Sequence, residues 1–226
     1  MSRPDISGDA ARAFDVLAAG GTAVLPMDVG YSLIGGSEAA LARIFATKGR
    51  TPDKLNAMLG DDVLHREIHR VDTRGAEIAA AITQDYDLPL GAVARADMDH
   101  PMLQALTPAA REGSTRGDTV LMLLNAGAFH AEICRLSRAA VHPLFGSSAN
   151  RSLQGTKFRV EDIESEIAAI ADVIIDHGLR KYHLYRASST ILDLNTLQVI
   201  RVGACYELIA DILRRHFDVE LPPAGD

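Results

Sequence analysis

Residues 20–34 carry the pattern that decides the fold, and they read Gly-Gly-Thr-Ala-Val-Leu-Pro-Met-Asp-Val-Gly-Tyr-Ser-Leu-Ile. The run 22–26 predicts a buried strand that ends at proline, and the run 31–34 resumes an extended conformation. A helical pattern at residues 10–17 precedes this pair. Ser37 is a good N-cap for the next helix, whose inner face carries apolar residues at 40, 41, 44 and 45.

The rest of the chain alternates between the two kinds of element. Helical patterns occur at 61–70, 75–84, 128–138, 162–170 and 206–216, and extended apolar runs at 91–94, 119–124, 173–175, 190–194 and 199–202. Asn195-Thr196 is typical of a hairpin turn. This mixture predicts an α/β fold with a twisted mixed sheet and flanking helices. No linker divides the 226 residues, so we expect one domain at 1–220 and a disordered tail at 221–226.

Composition and charge exclude several functional classes. Hydrophobic residues make up 47% of the chain, which allows a sizeable core, yet no apolar run is long enough to cross a bilayer. We expect a cytoplasmic protein with no membrane partner. Cys134 and Cys205 fit neither a disulfide framework nor a zinc spacing and are expected in the core. The net charge of −7 argues against broad adhesion to nucleic acid but allows a local basic pocket.

Two short polar stretches suggest an anion site. Lys48-Gly49-Arg50, with Lys54 close behind, follows a helical pattern, and cations at a helix end can hold phosphate oxygens. The stretch 147–150, Ser-Ser-Ala-Asn, is interpreted as a turn that presents hydroxyls, an amide and backbone N–H groups to a polar ligand. The plainer alternatives are a solvated, dipole-favoured helix end and a turn that satisfies its own backbone.

Five motifs, in order, resemble those of the YrdC-like family of threonylcarbamoyl-AMP synthases. They are the strand-turn-strand at 20–33, the Lys-x-Arg element at 48–50, the Ser-x-Asn element at 148–150, the Ser-Thr strand at 189–193 and the Arg-x-Gly turn at 201–203. The resemblance implies a single YrdC-like domain whose sheet surrounds a large, positively lined central cavity. It also implies the synthesis of threonylcarbamoyl-adenylate from L-threonine, bicarbonate and ATP, for the modification of transfer RNA.

The resemblance also assigns roles to individual residues. Lys48 and Arg50 are the expected catalytic cations, and the expected nucleotide-binding residues are Lys54, Ser148, Asn150, Ser189 and Arg201. Asp28 and Tyr31 are expected on the amino-acid side of the cavity. Two alternatives stay open: Tyr31 could equally be a core residue with a satisfied hydroxyl, and Arg201 could form a surface ion pair. Mg²⁺ is expected to arrive with ATP. RNA, including double-stranded RNA, and tRNA-modification proteins are further partners that the family suggests.

Several departures from the family pattern leave alternatives open. Met27 and Val29 replace threonines, a Pro-Gly-Pro-Thr-type loop is absent near 87–91, and the run 120–125 lacks the arginine of an Arg-Val-Pro strand. These losses also fit a paralogue with a different acceptor or carbamoyl donor, or a non-catalytic module that binds nucleotide or double-stranded RNA. His65 and His69 lie one helical turn apart, but no third ligand follows at a telling spacing, so no protein-built metal site is predicted.

Overall fold

The computed structural model describes residues 3–49 and 55–223. In this part of the chain the α-helices are α1 Ile6–Ala18, α2 Glu38–Lys48, α3 Asp62–Ile68, α4 Thr73–Ala80, α5 Pro101–Gln104, α6 Pro108–Glu112, α7 Ala128–Ala139, α8 Ser165–Ala168 and α9 Tyr206–Phe217. The strands are β1 Thr22–Met27, β2 Gly30–Gly35, β3 Ala57–Leu59, β4 Leu90–Arg95, β5 Thr115–Arg116, β6 Thr119–Leu124, β7 Phe145–Ser148, β8 Val173–Ile174, β9 Ile191–Asp193 and β10 Val199–Arg201. The predicted α/β class is confirmed.

The strands join in one mixed sheet. Their order is β10-β9-β4-β6-β3-β7-β2-β1-β8, and β5 pairs with β6 at the side of this path. The pairs β1/β8, β3/β6 and β4/β9 are parallel and the others antiparallel. The hairpin of β1 and β2 runs in register from Thr22↔Gly35 to Met27↔Gly30, and every residue of both strands is buried. Because the side chains on both faces of these two strands are buried, the strands read as nearly continuous apolar runs in the sequence.

Helix α2 brings the first polar stretch to the sheet. It begins where Ser37 Oγ accepts a hydrogen bond from the Ala40 backbone N–H at 3.1 Å, which confirms the predicted N-cap. It ends at Gly49, whose φ of 58° is the left-handed conformation that glycine adopts at low cost. Lys48 is therefore the last helical residue, and the helix packs against β2 and β7.

Two local predictions need correction. The helix predicted at 162–170 is limited to the four residues of α8, because Ile163 is extended and separates α8 from a 3₁₀ turn at Val160–Asp162. Ser147 and Ser148 belong to β7 and not to a turn, since they pair with Leu33 and Ser32 of β2. The Ser148 carbonyl accepts hydrogen bonds from the Lys48 ammonium and from the Asn150 backbone N–H at 2.9 Å, so the chain turns only after Ser148.

Other predictions concern single features. Cys134 and Cys205 are free and buried, as expected of small core residues. Asn195 and Thr196 connect antiparallel β9 and β10, which confirms the hairpin. Leu221 packs against the core, and the Pro222 carbonyl accepts a hydrogen bond from the Tyr206 hydroxyl, so these first tail residues contact the domain. No helix in the described residues is long and apolar enough to cross a membrane.

Candidate functional site

A cavity of about 730 Å³ opens on one face of the sheet. Its floor comes from alternate residues of neighbouring strands, because side chains two residues apart share a face. The apolar part of the floor consists of Ile34, Ala57, Leu59, Val93, Leu121, Leu123 and Ile191. Polar side chains lie around this apolar floor, so the cavity suits a ligand that has both an apolar body and polar groups.

Glycines deepen the floor. A Cβ atom built on Gly146 would lie 2.1 Å from the Leu33 carbonyl oxygen, and one built on Gly91 would lie 2.9 Å from Ile191 Cγ1. Both glycines line the cavity. Larger residues at these positions would force the neighbouring strands apart. The absence of side chains at the two glycines therefore allows both the close packing of the strands and the depth of the cavity.

Lys48 lines the cavity but is almost completely buried, with 3% of its surface exposed. Its ammonium group donates hydrogen bonds to the backbone carbonyls of Ser148 and Asn150. The Lys48 carbonyl in turn accepts a hydrogen bond from the Ser152 backbone N–H at 3.2 Å. Lys48 therefore fixes the segment after β7 against the end of α2, and this geometry differs from a solvated helix-end cation.

The segment after β7 supplies Ser148 and Asn150 to the same cavity. The amide nitrogen of Asn150 donates to the Arg151 carbonyl at 2.5 Å, whereas its Oδ1 is buried and has no partner in the described residues. The amide is thus turned so that its nitrogen holds the local backbone. The hydroxyl of Ser148, on a strand end, is the group of this segment that is best placed to meet a ligand.

Ser189 and Arg201 line the cavity from the β9/β10 side of the sheet. The Arg201 guanidinium donates to the Ser189 carbonyl oxygen from Nη2 at 2.7 Å and from Nε at 3.3 Å. Desolvation lowers the pKa of the Arg201 guanidinium, although the side chain still reaches solvent at the rim, and the group stays charged at neutral pH. The structure therefore brings together Lys48, Ser148, Asn150, Ser189 and Arg201, from four separate parts of the chain.

Sequence reasoning missed one cation of the cavity. Arg116 lines it from β5, a two-residue strand that pairs with the start of β6. Gly117, with a φ of 60°, allows the tight turn that follows. The expected Arg-Val-Pro motif would lie on β6, where the sequence has no arginine. The β5/β6 hairpin nevertheless brings a guanidinium to the cavity, from Arg116 of β5.

The charged residues of the described cavity lining are all positive. The described lining contains the cations Lys48, Arg116 and Arg201 and no Asp or Glu. The whole chain carries a net charge of −7, so this concentration of positive charge is local. Low-dielectric walls strengthen the attraction for an anion. Among the described lining residues, a Mg²⁺ ion that enters with a polyphosphate would find hydroxyl and carbonyl oxygens and no carboxylate, which fits an ion held mainly by phosphate and water.

Asp28 does not line this cavity. Its carboxylate accepts a hydrogen bond from Arg180 Nη2 at 3.2 Å and lies beside Gly127, at the start of α7. Desolvation raises the pKa of Asp28 despite the neighbouring Arg180. The contacts give Asp28 a structural role, as the anion that joins the β1–β2 turn to α7 and to the segment containing Arg180.

Tyr31 is a core residue away from the cavity. It is fully buried, and its hydroxyl donates to Asp176 Oδ1 at 2.9 Å and accepts from the His177 backbone N–H at 3.1 Å. Desolvation, followed by the nearby Asp176 carboxylate, raises the pKa of Tyr31 to about 12. Of the two alternatives that the sequence left open for Tyr31, the structure supports the satisfied core residue.

Two groups of residues complete the account of the sequence-based candidates. Arg50 and Lys54 lie outside the described residues, so their roles stay predictions. Met27 and Val29 are fully buried in the core and do not line the cavity. Loss of threonine hydroxyls at these positions therefore leaves the described cavity wall unchanged.

The two adjacent histidines pair with each other. His65 Nδ1 and His69 Nδ1 are 2.9 Å apart and both rings are buried. Desolvation lowers the pKa of each ring, and for His69 to about 3. Among the described residues, no three His, Cys, Asp or Glu side chains are grouped so that they could hold a metal ion.

Comparison with known proteins gives one family match. The family model described as Sua5_yciO_yrdC, telomere recombination, matches residues 15–203. The matched range includes every described candidate residue of the cavity. No curated protein matches the chain at a significant level.

Solved structures share the fold at low sequence identity. A hypothetical protein, smu.1377c, from Streptococcus mutans is 19% identical with a TM-score of 0.76, over 93% of this chain and 92% of that one. Sua5 of P. abyssi, solved with L-threonine, is 19% identical with a TM-score of 0.72, and the match covers 99% of this chain. The match spans only 61% of that Sua5 chain. YciO of E. coli is 20% identical with a TM-score of 0.63, over 90% of this chain and 94% of that one.

Proposed function

The chain belongs to the Sua5/YciO/YrdC family, and on this premise we propose that it synthesises threonylcarbamoyl-adenylate from L-threonine, bicarbonate and ATP. The observation that carries the proposal is the cavity itself, which in the described residues is lined by three cations and no carboxylate. A related fold, P. abyssi Sua5, has been solved with L-threonine, which supports threonine as the amino acid. We further propose that the product serves the modification of transfer RNA.

The chemistry requires positioning more than acid–base catalysis. The threonine amine and bicarbonate condense to a carbamate with loss of one water molecule. A carbamate oxygen then attacks the α-phosphorus of ATP, and pyrophosphate leaves with the electrons of the broken P–O bond. Charge stabilisation by fixed donors then dominates the rate. Arg201, Arg116 and Ser148 all line the cavity, and we propose that these three side chains bind the phosphate oxygens. Each contact of this charge-assisted kind contributes about 1.5–3 kcal/mol.

Lys48 acts differently from the catalytic cation that the motif suggested. Because its ammonium binds the carbonyls of Ser148 and Asn150, its main work is to hold the segment after β7 in place. Its positive charge still contributes to the potential of the cavity. We assign it as a positioning residue, and Mg²⁺ would supply charge neutralisation on the polyphosphate when ATP is bound.

The direct test is release of pyrophosphate by the purified protein with ATP, Mg²⁺, bicarbonate and L-threonine. We expect release that depends on both threonine and bicarbonate. An Arg201→Met variant should lose most of this activity, whereas Arg214→Met, on the exposed face of α9, should keep it. Folded protein that releases no pyrophosphate at any threonine concentration would contradict the proposal.

One observation favours a second candidate, a synthase with a different amino acid. The positions of β6 that face the cavity are Thr119, Leu121 and Leu123, and none carries a cation. The resulting apolar wall could accept a larger or less polar side chain. A panel of the twenty amino acids in the same assay decides between the candidates, because threonine should give the highest rate under the first proposal and not under the second.

A further inference from the structure

Ser32 is a polar residue at the centre of the sheet that the proposed function leaves without a role. It lies on β2, a strand paired with β1 on one side and with β7 on the other, so its backbone position is fixed. Only 8% of its surface is exposed, and its side chain lines the cavity. Its chain neighbours Tyr31 and Leu33 are fully buried core residues.

The register places Ser32 directly opposite Ser148. The two residues are partners in the antiparallel β2/β7 ladder, and both line the cavity. Side chains directly opposite each other in such a ladder share a face, with Cβ atoms about 4.5–5.5 Å apart. Two serine hydroxyls therefore stand side by side on the cavity wall, held by strands that cannot shift independently.

These hydroxyls have capacity for a ligand. Within the described part of the chain neither one makes a hydrogen bond to protein, and neither is among the fully enclosed polar atoms without a partner. A hydroxyl left unpaired on a buried strand costs stability that alanine, of nearly the same size, would avoid. The positive charge of Lys48 lies beside them, because its ammonium binds the Ser148 carbonyl. Two donors next to a cation suit an anionic oxygen.

We propose that Ser32 and Ser148 together form a paired-hydroxyl site that binds one oxyanion of the substrates. The chemistry is an anionic oxygen that accepts both O–H groups, and it belongs either to a phosphate of the nucleotide or to the carboxylate of the amino acid. This proposal rests on the proposed function for the identity of these ligands. It assigns a specific binding role to Ser32, a residue that the motifs did not single out.

The test is calorimetric titration of the full chain with three probes: ATP with Mg²⁺, inorganic pyrophosphate, and L-threonine. The variants are Ser32→Ala, Ser148→Ala and the double substitution. Loss of one hydrogen bond to a charged oxygen should weaken binding about tenfold or more. The weakened probe identifies the source of the oxyanion, since a phosphate site affects ATP and pyrophosphate, and a carboxylate site affects threonine alone.

The double substitution tests whether the hydroxyls act as a pair. If both bind the same oxygen, the double variant should lose less affinity than the product of the two single losses, because the contacts are coupled. Ser114→Ala is the matched control: its hydroxyl is also buried and unpaired in the described residues, but it does not line the cavity. It should leave all three affinities unchanged. If Ser32→Ala unfolds, Ser32→Cys replaces the hydroxyl with a slightly larger and weaker donor and should show the same direction of loss.

Each outcome has a distinct meaning. Wild-type protein that binds the probes, with Ser32→Ala affinities within twofold of wild type, overturns the paired site alone. Loss of affinity in Ser32→Ala combined with no pyrophosphate release by wild type supports the site and overturns the proposed reaction. Wild-type protein that binds none of the probes overturns both.

Discussion

The role of Lys48 gives the sharpest prediction about stability. Its buried ammonium donates hydrogen bonds to the carbonyls of Ser148 and Asn150, so Lys48→Met removes both bonds and leaves two carbonyls without that partner. Hydrogen bonds to a charged group contribute about 1.5–3 kcal/mol each. The variant also avoids the desolvation of a buried ammonium, which offsets part of the loss. We therefore expect the lower bound, a decrease of about 3 kcal/mol in the free energy of unfolding.

That loss corresponds to a measurable change in melting temperature. For a chain of about this length, 1 kcal/mol shifts the midpoint by about 2–4 °C, so Lys48→Met should melt about 6–12 °C lower than wild type. The matched control is Lys181→Met, whose side chain is 51% exposed and pairs with Asp87 at 3.8 Å. An exposed pair contributes about 1 kcal/mol or less, so this control should melt less than about 4 °C lower.

Scanning calorimetry of the three proteins at one pH and salt concentration checks this reasoning. Equal melting temperatures for wild type and Lys48→Met would refute it and would favour a solvated lysine at the end of α2. ATP binding supplies a second readout. If Lys48 positions the segment after β7, Lys48→Met should bind ATP more weakly even at temperatures where it is fully folded.

Three further outcomes follow from the contacts. Arg201→Met should bind ATP with Mg²⁺ about tenfold more weakly, and Arg214→Met normally, as titration calorimetry would show; equal affinities would remove Arg201 from the site. Tyr31→Phe should lower the free energy of unfolding by about 1–2 kcal/mol in urea titrations while threonine affinity stays unchanged, because its hydroxyl bonds to the segment 176–178, which does not line the cavity; lost threonine affinity at full stability would contradict this. Burial lowers the pKa of His130 to about 4. The unfolded chain, with a histidine pKa near 6.5, then binds the extra proton first, so stability is complete above about pH 6.5 and falls toward pH 4, by about 2 kcal/mol at pH 5; a pH-independent His130 contribution, measured against His130→Asn, would disprove it.

The sequence predicted those elements whose signals lie within a few neighbouring residues, such as helix caps and hairpins. Ser37 caps α2 as its sequence position indicated, and the β1/β2 hairpin follows the two apolar runs on either side of a polar turn. Strand β3 was missed because three residues carry too little periodicity, and its pairing with β6 and β7 depends on distant parts of the chain. A short strand of this kind is defined by its partners more than by its own sequence.

In the site, too, residues that belong to sequence motifs could be predicted, whereas residues placed by contacts between distant strands could not. Motif order predicted that Lys48, Ser148, Asn150, Ser189 and Arg201 would belong to one site, and the structure places all five on one cavity. Ser32 and Arg116 could not be found in this way, because their positions depend on strand register. Asp28 and Tyr31 lie close in sequence to the cavity-lining Ser32, but their side chains contact other parts of the molecule. Position in a motif does not determine which side of a strand a residue occupies.

The central claim is that residues far apart in the chain enclose one anionic ligand. A crystal structure of the protein soaked with ATP, Mg²⁺ and L-threonine tests it most directly. We predict electron density for the triphosphate between Ser148 and Arg201, with phosphate oxygens within hydrogen-bond distance of at least one of these side chains. Density for the nucleotide elsewhere on the surface, with this cavity holding only water, would contradict the account.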